Sequence, residues 1–257
     1  MTGRLLKPVL LAAGVPLVLA DPEAEIFDRL TYHGPPKALP AGASTEDWPR
    51  FLGPRHDLHS KETGLLRPLP KGGLQEVWEV KRGTGHAPPV VTGEYLVMVH
   101  ALNSREVIEC LHPETGRRYW KFDYPVRLGS SFGMEDAPRS GPVIDGDLVF
   151  VVGVRGDLHC LDLKSGALVW KKNLEKDYGP APLFFGRGGC PLVHGDQVIV
   201  NVGGKICVAG FNKRTGRLLW STKHNWHASY ASPVPATLHG KERVLVFTGG
   251  MVDPPTG

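Results

Sequence analysis

The sequence predicts an all-β fold built from repeated four-stranded units, and three observations lead to this fold class. An eleven-residue phrase that ends in tryptophan recurs in one register, as CLHPETGRRYW, CLDLKSGALVW and GFNKRTGRLLW, at residues 110–120, 160–170 and 210–220. Short β-branched runs separated by turns surround each copy, and no segment keeps a helical period beyond about two turns. The content of 32 Gly and 23 Pro suits a chain that turns often. Units of four strands at a period of about 40–50 residues predict a β-propeller.

The order of the strands divides the chain into about three complete blades with partial blades at both ends. Trp78 is expected in the last strand of a blade whose other strands are absent upstream, and the final unit is expected to hold two strands and to lack its third. We interpret the chain as a piece of a larger ring, with a four-bladed ring closed around a defective blade as the alternative. The predicted strands are 74–80, 88–92, 95–100, 106–111, 117–123, 142–144, 147–153, 157–162, 167–173, 191–193, 197–202, 205–211, 217–222, 233–238 and 243–248.

The recurring phrase is interpreted as scaffold. Its glycine takes the left-handed conformation that closes a short hairpin loop, and its tryptophan follows four residues later on the outermost strand. A tryptophan that stacks on a cofactor would occur once near the axis, whereas this one occurs in every unit, so we expect it to pack between neighbouring blades. The residues assigned to this structural role are Trp78, Trp120, Trp170, Trp220, Gly116, Gly166 and Gly216.

The four cysteines are interpreted as small buried residues. Cys110 and Cys160 occupy the same place in successive units, and equivalent positions in neighbouring modules lie beyond disulfide distance. The histidines are scattered and no third ligand accompanies either close pair, so no metal site is predicted.

The N-terminus predicts export. Residues 1–20 combine two positive charges, an uncharged stretch too short for a membrane span and the small-residue sequence Val18-Leu19-Ala20, which is typical of a signal peptide. Residues 21–46 form a Pro/Gly-rich arm, and residues 47–257 form the incomplete propeller. This organisation predicts a periplasmic or secreted bacterial protein with no transmembrane segment. The net charge of +4 without a basic run argues against a nucleic-acid partner.

The phrase with Gly at its seventh position and Trp at its eleventh resembles the tryptophan-docking motif of pyrroloquinoline-quinone-like (PQQ-like) propellers. The segment DWPRFLGPRHDLHSKETGL, from residue 47, resembles the lead-in before the first blade of such exported proteins. The resemblance implies two classes of function. Quinoprotein dehydrogenases hold PQQ and calcium over the axis, and often carry an adjacent Cys-Cys pair that this chain lacks. Non-catalytic members, such as the propeller of the bacterial outer-membrane assembly machinery, bind protein segments.

We therefore predict an exported, non-catalytic binding or scaffold module for protein or small-molecule partners, with no cofactor. The alternative is a fragment of a PQQ- and calcium-dependent alcohol or sugar dehydrogenase. The binding surface is expected on the loops 124–141, 175–189 and 224–232, because loops carry function while repeats carry the scaffold. Trp226 is the leading candidate because it lies outside the docking register. The full set of candidates is Arg127, Asp136, Arg139, Tyr178, Phe185, Arg187, Trp226 and His227.

Overall fold

The computed structural model describes residues 24–131, 134–135, 137–179, 183–247 and 250–252, so the predicted signal peptide at residues 1–20 lies outside the described residues. The strands, in chain order, are β1 (Leu30–Tyr32), β2 (Trp78–Val80), β3 (Val90–Thr92), β4 (Tyr95–Leu102), β5 (Arg105–Leu111), β6 (Arg118–Pro125), β7 (Ser130–Ser131), β8 (Met134–Glu135), β9 (Val143–Asp145), β10 (Leu148–Val152), β11 (Asp157–Asp162), β12 (Leu168–Asn173), β13 (Leu192–His194), β14 (Gln197–Asn201), β15 (Val208–Asn212), β16 (Leu218–Ser221), β17 (Val234–Leu238), β18 (Lys241–Val246) and β19 (Gly250–Val252). A short helix, α1 (Leu174–Tyr178), follows β12. No helix in the described ranges is long and apolar enough to cross a membrane.

Three complete blades are present in the described chain, and each is a four-stranded antiparallel sheet in sequence order. The first blade is β3–β6, the second is β9–β12 and the third is β13–β16. The first strands of the blades touch in succession, β3 against β9 and β9 against β13. Blades whose inner strands meet in this way radiate from a common axis, so the predicted all-β propeller of four-stranded blades is confirmed.

Apolar side chains fill the space between neighbouring blades. Val97 and Trp120 of the first blade cluster with Val149 of the second. Phe150 and Trp170 of the second blade cluster with residues of the third in the same way. Both faces of a blade are therefore buried, and for this reason its middle strands read as continuous apolar runs such as LVFVV in β10.

The recurring tryptophans contact the turn of the next unit. The Trp170 indole lies against Gly216, where a Cβ atom would come within 2.7 Å of the ring, and the glycine has φ of +68°. The Trp170 Nε1–H donates a hydrogen bond of 2.9 Å to the carbonyl of Lys213, three residues before that glycine. The same contacts join Trp78 to Gly116 and Pro113, and Trp120 to Gly166 and Leu163.

Trp220 differs from the other three. Its Nε1–H donates to Oε1 of Gln197 in its own blade, and its ring lies over Gly210. No turn equivalent to these lies in the described part of the fourth unit, which extends to Val252.

Among the described residues, the final unit has three strands rather than the expected two. β19 pairs antiparallel with β18, with Val252 opposite Val244 and Gly250 opposite Val246. The predicted strands stop at residue 248, and β19 is identified by its pairing with β18.

The predicted arm at residues 21–46 contributes a strand to the sheet of Trp78. β1 pairs antiparallel with β2, with Tyr32 opposite Trp78. Just before β1, Glu25 forms an antiparallel bridge to Arg118 on the outer strand of the first blade. Further along, Trp48 of the lead-in pairs with Val91 of β3. The chain before the first blade is therefore fixed to it at both its outer and its inner edge.

The four cysteines are free and buried. Burial raises the pKa of the Cys110 and Cys160 thiols to about 12. Both pair across the sheet with the tryptophan of their own blade, so their side chains contribute to the packing of that blade.

Candidate functional site

The connections between blades gather at one end of the propeller. In each antiparallel blade, the turn between the second and third strands and the connection to the next blade lie at the same end, which we call the loop end. Exposed aromatic side chains concentrate here. They are Phe184, Trp226, Tyr230 and Phe247.

A first open cavity at the loop end has a volume of about 550 Å³ and lies between the first two blades. Arg127 lines it from the connection after β6, and Arg155 lines it from the tight turn before β11. Lys176 of α1 lines it as well. Asn173 holds α1 in place, because its Oδ1 accepts a hydrogen bond of 2.7 Å from the Lys176 backbone N–H and its Nδ2 donates to Asp157.

The one carboxylate in the described lining of this cavity, Glu175, faces a buried guanidinium. Oε1 of Glu175 lies 3.8 Å from Nε of Arg187, whose side chain is 3% exposed. Burial raises the pKa of Glu175, and the positive charge of Arg187 opposes that shift. Arg187 itself donates from Nη1 to the carbonyl of Val202. Arg187 thus connects the second and third blades and offsets the negative charge of Glu175.

Two further open cavities adjoin the first. The second, about 440 Å³, shares Leu128 and Gly129 with the first cavity. The third, about 460 Å³, shares Gly83 and Thr84 with the second. The three cavities form a row across the loop end, which we call the loop-end groove.

The glycine at the junction of the second and third cavities allows close backbone approach. A Cβ atom on Gly83 would lie 1.9 Å from the carbonyl oxygen of Ala101, so only glycine fits there. The next residue, Thr84, pairs with Ala101 through two backbone hydrogen bonds of 2.7 and 2.9 Å. The short sequence GTG at residues 83–85 therefore forms part of the groove wall.

A buried polar network lies between the first and second blades. Glu106 is fully buried, and its carboxyl group accepts hydrogen bonds from the Tyr124 hydroxyl at 2.6 Å and from the Val154 backbone N–H at 3.0 Å. The Tyr124 ring lies 4.4 Å from the His159 ring, centroid to centroid. Burial lowers the pKa of His159 to about 4, with a further contribution from Lys171, and Nδ1 of His159 has no hydrogen-bond partner among the described residues.

We expect His159 to make the fold sensitive to acid. Its folded pKa of about 4 lies below its ordinary value of 6.5, so the unfolded chain binds the proton first as the pH falls. The contribution of neutral His159 to the free energy of unfolding is therefore fully present above pH 6.5 and is lost as the pH falls through 4. The loss is about 3 kcal/mol, at about 1.4 kcal/mol per pKa unit. His159→Phe, which keeps a ring against Tyr124, removes this loss. Urea unfolding at pH 7 and pH 4.5 measures the difference, and an equal loss in both proteins would contradict the assignment.

Several predicted site residues lie at the groove or beside it. Arg127 lines the first cavity and Arg139 lines the third. The Arg139 guanidinium lies 5.1 Å from the centre of the Phe185 ring, and that ring packs against Tyr230. These residues therefore form one continuous surface with the third cavity.

Other predicted residues have different surroundings. Tyr178 is half-buried against Phe211 between the second and third blades, and Arg187 is buried. Trp226 is exposed and stacks on His224 with ring centroids 4.5 Å apart. His227 is exposed beside Trp226. Asp136 lies outside the described residues.

The sequence interpretation missed Arg82, Arg155, Glu175, Lys176 and Tyr230 as residues of this surface. Each stands singly in a polar loop, with no motif around it. GTG at residues 83–85 was the one available signal, and three residues are too few to identify a site. In the described part of the chain, no group of three or more His, Cys, Asp or Glu side chains could hold a metal ion.

Comparison with known proteins gives three kinds of match. Residues 104–254 match the protein family described as outer membrane protein assembly factor BamB. The chain is 26% identical to a tetrathionate hydrolase from Acidithiobacillus ferrooxidans over 60% of its length, and 30% identical to quinohemoprotein alcohol dehydrogenase ADH IIB from Pseudomonas putida over 41% of its length. It spans only 30% and 16% of those two relatives. The crystal structure of BamB from Moraxella catarrhalis matches with a TM-score of 0.46 and 20% identity, over 67% of this chain and 52% of that one.

Proposed function

Because the chain belongs to the family of outer membrane protein assembly factor BamB, we propose that it is a non-catalytic propeller that binds a protein partner at its loop end. We further propose that it acts in the periplasm or outside the cell after residues 1–20 are removed, with residues 21–46 as an arm and residues 47–257 as the propeller. The observation that carries the proposal is the set of exposed aromatic residues at the loop end, together with the loop-end groove at that same end. Aromatic side chains and arginine are enriched where proteins bind one another.

The competing function is that of a quinoprotein dehydrogenase, which the likeness to the alcohol dehydrogenase raises. Calcium in proteins takes six to eight oxygen ligands, most of them from carboxylates and carbonyls. The described lining of the first cavity offers Glu175 as its carboxylate, beside Arg127, Arg155 and Lys176. This donor set does not fit calcium, so we derive no catalytic step from it.

Photo-crosslinking in cells tests the proposed function. A photoreactive phenylalanine analogue placed at residue 226 is expected to form an adduct with a discrete protein, because Trp226 lies at the loop end. The same analogue at residue 218 is the control. Leu218 is 38% exposed and Trp226 is 39% exposed, so the two sites differ in position and not in accessibility.

Equal adducts at both positions, or none at residue 226, would contradict binding at the loop end. Purified protein supplied with PQQ and calcium provides the second measurement. Quinone absorbance that stays with the protein, together with dye-linked alcohol oxidation, would reject the non-catalytic assignment in favour of the dehydrogenase.

A further inference from the structure

The loop-end groove has an uneven distribution of charge. Its first cavity is lined by Arg127, Arg155 and Lys176, and its third cavity is lined by Arg82 and Arg139. The second cavity, between them, is lined by uncharged residues only, at positions 83–84, 101–104 and 128–129. The groove is therefore basic at both ends and uncharged in the middle.

Four of these cations are not neutralised by a carboxylate of the described residues. Within the described ranges, Arg82, Arg127, Arg139 and Lys176 form no ion pair with Asp or Glu. Arg82 and Arg139 each donate one hydrogen bond, to the backbone carbonyls of Gly85 and Ala137, and these bonds fix the side chains without removing their charge.

The single carboxylate of the described lining does not cancel this charge. Glu175 already faces Arg187 at 3.8 Å, and the carboxylate and this guanidinium together carry no net charge. The positive charges of Arg127 and Lys176 at the first cavity therefore remain available to a ligand. Cations that lie at the two ends of one groove attract a ligand with negative charge at both of its own ends.

We propose that the loop-end groove binds an extended segment of a partner protein that carries acidic residues at both ends of a short uncharged stretch. This inference rests on the proposed function and specifies the partner's chemistry. A row of three cavities fits an extended chain, because the cavities adjoin through shared walls and the middle one offers small or uncharged side chains. Phe185 and Tyr230, beside Arg139, give the acidic segment an apolar surface on which its flanking residues pack.

Fluorescence anisotropy with labelled peptides tests the proposal on the purified full chain. The probe is Glu-Glu-Ser-Ala-Ser-Glu-Glu, and the comparison peptides replace all Glu by Gln, or only the Glu residues at one end. We expect the fully acidic peptide to bind at least ~10-fold more tightly than the Gln peptide at about 50 mM salt, with the half-acidic peptides in between. Binding should weaken at about 500 mM salt, because the charges are then screened.

Charge reversal locates the site. Arg127→Glu combined with Lys176→Glu is expected to weaken binding of the acidic peptide by ~10-fold or more, as is Arg82→Glu combined with Arg139→Glu. Lys164→Glu is the matched control, because Lys164 is exposed in the turn before Gly166, at the opposite end of the blade. It should leave binding within about 2-fold. Thermal melting verifies that each variant is folded.

Three results would overturn the proposal. Equal affinity for the acidic and Gln peptides excludes recognition of acidic residues. An equal effect of Lys164→Glu places the binding elsewhere. Inorganic phosphate that displaces the peptide at the peptide's own concentration assigns the cavities to a small anion. If crosslinks at residue 226 persist in any of these cases, the protein-binding function stands and only the partner's chemistry is wrong.

Discussion

Trp170→Ala lowers the free energy of unfolding by about 3–5 kcal/mol, the range for removing a buried aromatic side chain. The indole is 9% exposed and belongs to the apolar cluster between the second and third blades. The substitution also removes its hydrogen bond to Lys213. Because the ring fills the space over Gly216, a cavity remains between two sheets that cannot close without moving a blade.

Urea unfolding measures this effect, with Trp226→Ala as the control. Trp226 has the same chemistry but is exposed at the loop end, so its replacement should cost less than about 1 kcal/mol. Equal losses for the two variants, or an unchanged melting temperature for Trp170→Ala, would show that the recurring tryptophan does not hold the blades together.

Glu109→Gln destabilises the protein by about 3–5 kcal/mol, because it leaves the largely buried Arg29 guanidinium without its carboxylate partner, whereas Arg118 keeps its ion pair with Glu25. The Glu109 side chain is fully buried on β5. One oxygen accepts from Arg29 at 2.5 Å and from Arg118 at 3.1 Å, and the other contacts Nε2 of His100 at 2.9 Å. Arg29 comes from the chain before β1, so this ion cluster ties residues 24–32 to the first blade.

The same cluster gives the substitution a pH signature. Burial alone would raise the pKa of Glu109, but hydrogen bonds from His100, Arg29 and Arg118 together outweigh burial and lower it to about 2. A depressed carboxyl pKa contributes stability that is present above the ordinary value of 4.5 and is lost as the pH falls through 2. The penalty of Glu109→Gln should therefore be largest near pH 7 and shrink below pH 4.5.

Glu114→Gln is the control for this second prediction. Glu114 is exposed in the turn before Gly116, and its replacement should change stability by less than about 0.5 kcal/mol at either pH. Limited proteolysis gives an independent readout, because Glu109→Gln should speed cleavage within residues 24–33. Unchanged cleavage and unchanged stability would show that the ion cluster does not retain this segment.

The sequence predicted the blades well because each blade is specified locally. Gly166 is required by the tight turn, Trp170 follows on the outer strand, and the apolar run in β10 is buried on both faces. These features lie within about fifty residues of one another and repeat, so each copy supports the interpretation of the others. The same dependence on the repeat explains why the interpretation failed at β19, because no copy of the recurring phrase accompanies this strand in the sequence.

The groove could not be predicted in this way, because its walls come from distant parts of the chain. Arg82 and Arg139 line the same cavity only after the first blade brings their loops to one end. Lys176 and Arg127 line another cavity from two different connections between blades. Arg187 resembled a surface residue in its polar loop, yet the third blade covers it and supplies the carbonyl of Val202 as its partner.

The sequence by itself determined the repeat, the turn glycines, the recurring tryptophans and hence the propeller. The conformation of a turn and the apolar pattern of a strand depend on residues that are adjacent in the chain. Only the tertiary structure decided which loop side chains line the same cavity. It also decided that Glu109 binds residues 24–32 to the first blade, and that positive charge remains at the ends of the loop-end groove. Those outcomes depend on distances between residues far apart in the chain, and such distances exist only once the blades have packed.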